Sequence, residues 1–171
     1  MRFQWQVDQA DIDHVKAFVA SHSANPFVRV RVERNLAVDK PTVDRSEFWK
    51  QMVGMRMTSV QRSGPNSAVA AFLRRTPFPL SYDHVVSVSE GDKRRDMVAG
   101  IIRAHGGIRF PDRIAEDLSK NLDKLNGGGG WDTTLKKVNA LASPSEAGKE
   151  REVARFLHNL LHGFGPKQSR N

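Results

Sequence analysis

Five residues near the C-terminus have types and spacing that suit chemistry on a phosphate-bearing polymer. Gly163-Phe164-Gly165-Pro166-Lys167 follows directly on an amphipathic segment. Glycine reaches φ > 0 and lets a partner approach the backbone, so a Gly-x-Gly turn at a helix end presents N–H groups to a phosphate. Lys167 adds an amine. An amine attacks carbon only when neutral, and free lysine titrates near ~10.4, so burial or neighbouring positive charge must depress it for such a role. Without that perturbation the same five residues read as a helix C-cap followed by a solvated lysine.

The segment that must position this turn is the clearest helix in the chain. Ser143-Pro144-Ser145-Glu146 supplies an N-cap, proline at the first helical position and glutamate at the third. Val153, Phe156, Leu157, Leu160 and Leu161 then recur at i, i+3, i+4, i+7 and i+8, a face that docks on a core. Gly163 terminates the helix.

The earlier chain reads mostly as helices. Residues 1–8 alternate loosely and include Trp5. Asp8 or Asp11 caps a helix whose stripe is Ile12, Val15, Phe18 and Val19, with His14 and His22 as ordinary helix-surface residues. Asn25-Pro26 breaks it. Residues 27–34 read as either a short strand or an irregular helix, with Arg29, Arg31 and Arg34 most simply a solvated face. Asp44 and Glu47 have capping-box spacing before a helix carrying Phe48, Trp49, Met52, Val53 and Met55. That helix must loosen before Gly64-Pro65. The methionines read as core filler. Asn66 to Leu73 forms a compact apolar helix. Residues 80–91 are open between a helical turn and a short strand. Asp92 caps a helix bearing Met97, Val98, Ile101 and Ile102 that Gly106-Gly107 closes. Pro111 opens a helix with Ile114, Leu118, Leu122 and Leu125. Gly127 to Gly130 is a flexible break, and Trp131-Asp132 start the next helix. The sum is an all-α bundle of about seven helices, read as one domain over 1–171, with two lobes joined near 76–91 as the alternative.

Composition narrows the chemistry. Among 171 residues, 27 are Lys or Arg and 19 Asp or Glu, a formal net charge of +8. The excess is spread over the chain and suits either a polyanion such as nucleic acid or simply a basic protein. There is no cysteine, which removes disulfides, thiol catalysis, thiolate zinc and iron–sulfur clusters. No apolar run has membrane-spanning length and no signal-peptide pattern opens the chain. A monomeric cytoplasmic protein, nucleoid-associated if it binds DNA, is the expectation.

Leu160-Leu161-His162-Gly163-Phe164-Gly165-Pro166-Lys167 resembles the hairpin of the helix-hairpin-helix DNA glycosylase superfamily, the group containing 8-oxoguanine DNA glycosylase and endonuclease III. Its pattern is a helix, Gly-hydrophobe-Gly-x-Lys, and a second helix. The resemblance implies base-excision repair on double-stranded DNA with a damaged base. Lys167 then stands as the nucleophile that attacks the sugar C1′, gives a Schiff base and cuts the strand by β-elimination. It implies phosphate contacts from the amides of Gly163, Gly165, Lys167 and Gln168. It also implies a structural potassium or sodium ion on the backbone carbonyls of Asn159, Leu161 and Phe164. Ser59-Val60-Gln61 is similar to the family's Ser-Ala-Gln segment, whose glutamine fills the gap left by an extruded base; on its own Gln61 reads equally as an ordinary polar loop residue. The absence of cysteine points to the cluster-free branches acting on oxidised purines.

One departure qualifies the resemblance. The family continues into a full second helix, a Gly/Pro-rich loop and an assisting aspartate, whereas four residues follow Lys167 here. The expectation is therefore an all-α domain ending in an incomplete helix-hairpin-helix, a piece of a longer protein. Two alternatives stand beside it: a non-enzymatic helical DNA-binding module, and a helical interaction protein that does not bind DNA.

Overall fold

The computed structural model describes residues 8–26, 28–30, 33, 41–61, 63–128, 130–142, 147–166 and 168–170. Among these there are eight α-helices with fully described bounds, further helical residues at 28–30 and 33, a terminal 3₁₀ turn and no strand. The all-α expectation holds. The chain divides into two compact units, Met1–Lys40 and Pro41–Asn171. The division falls at Lys40, and residues 76–91 lie inside the second unit.

In the first unit, α1 (Gln9–Ser21) starts at Asp8, whose carboxylate accepts from the Asp11 N–H at 2.9 Å, while the Asp8 N–H donates to Asp11. This reciprocal box satisfies two N–H groups that a helix start leaves unpaired. Both candidate capping residues take part, Asp8 as the cap and Asp11 three residues on. The stripe of Ile12, Val15, Phe18 and Val19 is exposed. Residues 28–30 and 33 are helical, which settles the strand-or-helix question for those positions; Arg29 lies 3.7 Å from Glu33 one turn later. Trp5, Arg31 and Arg34 lie outside the described residues.

The second unit is built around α2 (Arg45–Thr58). Asp44 caps it by accepting from the Glu47 N–H at 2.8 Å. Its Trp49, Met52, Val53 and Met57 are fully buried, so Met52 and Met57 do fill the core. The Trp49 indole N–H donates to the Leu80 carbonyl at 2.8 Å, giving its one polar atom a partner. Short helices α3 (Ala68–Leu73) and α4 (Tyr82–Val86) follow, capped by Ser67 and Ser81. The open segment 80–91 thus contains a helical turn. Next come α5 (Gly91–His105), α6 (Pro111–Asn126), α7 (Gly130–Asn139) and α8 (Ala147–Leu160).

One local expectation needs correction. The N-cap of α5 is Glu90, without a side-chain bond, and Asp92 sits in the first turn, where its charge faces the positive end of the helix dipole. At the end of the glycine run, a Cβ on Gly130 would lie 2.6 Å from the Lys124 carbonyl oxygen and 2.9 Å from that of Leu125. Only glycine fits where α7 starts against the end of α6. The Ser143–Glu146 cap falls outside the described residues.

Helices α5 and α6 are locked by Arg94, 3 % exposed. Its Nε donates to the Ser119 hydroxyl at 3.0 Å and its Nη2 pairs with Asp123. Ile114, Leu118, Leu122 and Leu125 on α6 are buried as their spacing predicts, and they form one core with Val98, Ile102, Phe72, Trp49 and Trp131.

Gly100 lies exposed in the middle of α5, and a Cβ there would meet nothing within 4 Å. A mid-helix glycine costs roughly 0.5–1 kcal/mol relative to alanine. Gly100→Ala is therefore expected to raise the unfolding free energy by about that amount in a urea titration, with an unchanged m-value.

Candidate nucleic-acid hairpin

Helix α8 buries Val153 and Ala154 and half-buries Phe156, Leu157 and Leu160. It ends at Leu160. The chain then turns through Gly163, whose φ is +74°, while Leu161 and Phe164 remain in the core. The turn is therefore pinned by apolar side chains on both sides of its first glycine. Gly165 is not in the left-handed region.

Polar groups complete the anchoring. Asn121 on α6 is fully buried. Its Oδ1 accepts from the His162 N–H at 2.6 Å and its Nδ2 donates to the His162 carbonyl at 3.1 Å. Lys124 Nζ donates to the Leu160 carbonyl at 2.9 Å. His158 Nδ1 donates to the Phe164 carbonyl at 2.8 Å, since a carbonyl only accepts.

Beyond the turn a new helix begins to form. The Ser169 N–H donates to the Gly165 carbonyl at 3.1 Å, a four-residue bond. Gln168 Oε1 reaches back to accept from the Gly165 N–H at 3.0 Å. Glycine, then proline, then glutamine three residues on is the pattern of a helix start with its N3 side chain returning to the cap. The 3₁₀ turn Gln168–Arg170 is the visible part. One expected phosphate contact, the Gly165 amide, is thus taken by the Gln168 side chain, a bond in which the Gln168 backbone amide has no part. Lys167 and its amide lie outside the described residues.

Gln61 is placed by the Ser59-Val60-Gln61 segment at the end of α2. Its Oε1 accepts from the Arg109 N–H at 2.7 Å and its Nε2 donates to the Gly107 carbonyl at 3.4 Å. It therefore holds the loop between α5 and α6. That loop contains Phe110, which is 59 % exposed and has φ of +56°, a conformation uncommon for a bulky residue.

Arg56 joins the two motifs. It is 2 % exposed and lies on α2 beneath the hairpin. Its Nε and Nη2 lie 2.7 and 2.6 Å from Asp117 Oδ2 on α6. Its Nη1 donates to the Ser59 hydroxyl at 3.0 Å. A Cβ on Gly163 would lie 2.6 Å from both Arg56 Nε and Asp117 Oδ2. The hairpin glycine thus rests directly on an ion pair, buried at Arg56 and half-buried at Asp117, whose arginine also binds the first residue of Ser59-Val60-Gln61.

Asn159 lies in the last turn of α8, Leu161 and Phe164 in the turn that follows, and of the three carbonyls the described contacts single out only that of Phe164, through His158. Among the described residues no group of three or more His, Cys, Asp or Glu is placed to hold a metal ion, and no helix is long and apolar enough to cross a membrane.

Arg56, Asp117, Asn121 and Lys124 were not singled out from the sequence. A signal existed for Arg56: it falls four residues after Met52 on a stripe that is otherwise apolar, where a charge must find a buried partner.

No family model, curated protein or solved structure matches this chain.

Proposed function

We propose that the Pro41–Asn171 unit is the DNA-engaging part of a base-excision enzyme, a glycosylase with associated abasic-site lyase activity on an oxidised base, with Lys167 as nucleophile. The observation that carries this reading is the convergence on Arg56. Two segments that resemble the same superfamily, far apart in the chain, meet on one buried side chain.

In this reading the hairpin grips a phosphate through the Gly163 amide, and through the Gly165 amide once Gln168 releases it. The net charge of +8 favours the polyanion at long range. Extruding a nucleotide costs a few kcal/mol. Gln61 and the exposed Phe110 on the loop it holds offset that cost by filling and wedging the stack. The Lys167 amine then attacks C1′, the glycosidic bond breaks, and the base leaves with its electron pair and takes up a proton. The ring-opened sugar remains as a Schiff base on Nζ. Loss of a C2′ proton expels the 3′ phosphate, and hydrolysis frees the lysine.

A second reading has its own observation. Both ends of the Gln61 amide are occupied by Gly107 and Arg109, which suits a clamp on the loop rather than a wedge. The unit would then bind the DNA backbone without extruding a base.

Strand cleavage and binding on the same duplexes separate the two. On duplex carrying 8-oxoguanine or an abasic site, the first reading expects cleavage that Lys167→Gln abolishes while affinity changes by less than about threefold, the loss of one charged contact being small beside the whole grip. Equal affinity for damaged and undamaged duplex, without cleavage of either, leaves the second.

A further inference from the structure

We propose that the hairpin after α8 is held by the chain's own hydrogen-bond donors and takes no structural potassium or sodium ion. Of the three carbonyls that a cation would gather, Phe164 is already claimed, and three neighbouring carbonyls of the same turn are claimed with it. Phe164 accepts from His158 Nδ1 at 2.8 Å. Leu160, which sits between Asn159 and Leu161 in the chain, accepts from the Lys124 ammonium at 2.9 Å. His162 accepts from the buried Asn121 amide at 3.1 Å. Gly165 accepts from both the N–H and the hydroxyl of Ser169, each at 3.1 Å. Donors from α6, from α8 and from the terminal turn thus converge on four successive parts of one loop.

The electrostatics run the same way. The last carbonyls of a helix carry partial negative charge and attract a cation. Lys124 supplies a full positive charge at that place, so a metal ion on the flanking Asn159 and Leu161 carbonyls would meet a like charge across a short distance. The imidazole N–H aimed at the Phe164 oxygen turns its positive end toward the same space. Lys124 and His158 do the neutralising work for which a monovalent ion would otherwise be needed.

This inference does not depend on the lyase reading, and its test needs no DNA. The full chain is melted in the chlorides of potassium, sodium, lithium and tetramethylammonium at one ionic strength. Equal melting temperatures within about 1 °C are expected, because a native-state ion site filled to ~100 times its Kd would raise the Tm by roughly 5–15 °C. His158→Leu removes one donor and is expected to lower the Tm by roughly 3–8 °C, equally in all four salts. A wild-type Tm that rises by several degrees in potassium or sodium over tetramethylammonium would overturn the proposal, whether or not the variant folds. So would a His158→Leu melting temperature equal to wild type, which would show that the imidazole does not support the turn.

Discussion

Gly163→Ala is expected to lower the stability of the Pro41–Asn171 unit by about 3–5 kcal/mol, through left-handed strain and disruption of a buried ion pair together. The backbone supplies the first part. At φ of +74° a side chain costs roughly 1–2 kcal/mol. The second part is steric. The new methyl carbon would lie 2.6 Å from Arg56 Nε and from Asp117 Oδ2, well inside contact distance. Both atoms belong to a pair with little room to retreat, so the hairpin must lift or the pair must part. Gly106 separates the two contributions. Its φ is +78° with ψ of 162°, and a Cβ there meets nothing within 4 Å, so Gly106→Ala should show backbone strain alone, about 1–3 kcal/mol. Urea titrations of both variants check this. Equal losses at the two positions would mean that Gly163 does not press on the ion pair.

Asp117→Ala is expected to be as damaging, at about 3–5 kcal/mol, because it leaves the Arg56 guanidinium buried without a counter-charge. Arg56 is 2 % exposed, so it relies on that carboxylate to offset the burial of its charge. The double replacement Arg56→Met/Asp117→Leu should recover most of that loss, since an apolar pair of similar volume avoids burying any charge. The Ser59 hydroxyl would still lose its Nη1 partner, and with it the link between the hairpin and the Gln61 segment. The expected result is therefore a stable protein with weakened DNA affinity. Losses that simply add in the double variant would show that the two side chains do not act as a pair.

The parts of this fold that local chemistry decides were legible in the sequence. Asp8 and Asp44 each stand three residues before a carboxylate, and both cap the helices they precede. Ile114, Leu118, Leu122 and Leu125 define the buried side of α6 through spacing alone. Local signals failed where tertiary contacts decide. Tyr82 to Val86 carries two valines that suit a strand, yet Ser81 caps it as a helix and Val85 enters the core. The Gly127–Gly130 run looks loose as composition, but Gly130 is required by two carbonyl oxygens of α6.

The candidate site divides along the same line. Gly163, Gly165, Gln168 and Gln61 were marked by motif, and the turn at Gly163 is present. What supports them carries no motif. Asp117 and Asn121 flank Leu118 on the face of α6, and the apolar stripe of that helix includes neither. Their partners lie on other helices, and no spacing within α6 identifies them. Only their position beside buried leucines hints that they turn inward.

The measurement that tests the central claim most directly is borohydride trapping on duplex with an abasic site or 8-oxoguanine, compared between this chain and Lys167→Gln. Reduction fixes a Schiff base as a stable cross-link, so the readout is the covalent bond itself. A protein–DNA adduct is expected on damaged duplex, none on undamaged duplex, and none from Lys167→Gln. An adduct of equal yield from Lys167→Gln would contradict the assignment of the nucleophile. No adduct from a folded chain that still binds the duplex would contradict the lyase reading and leave DNA binding as its activity.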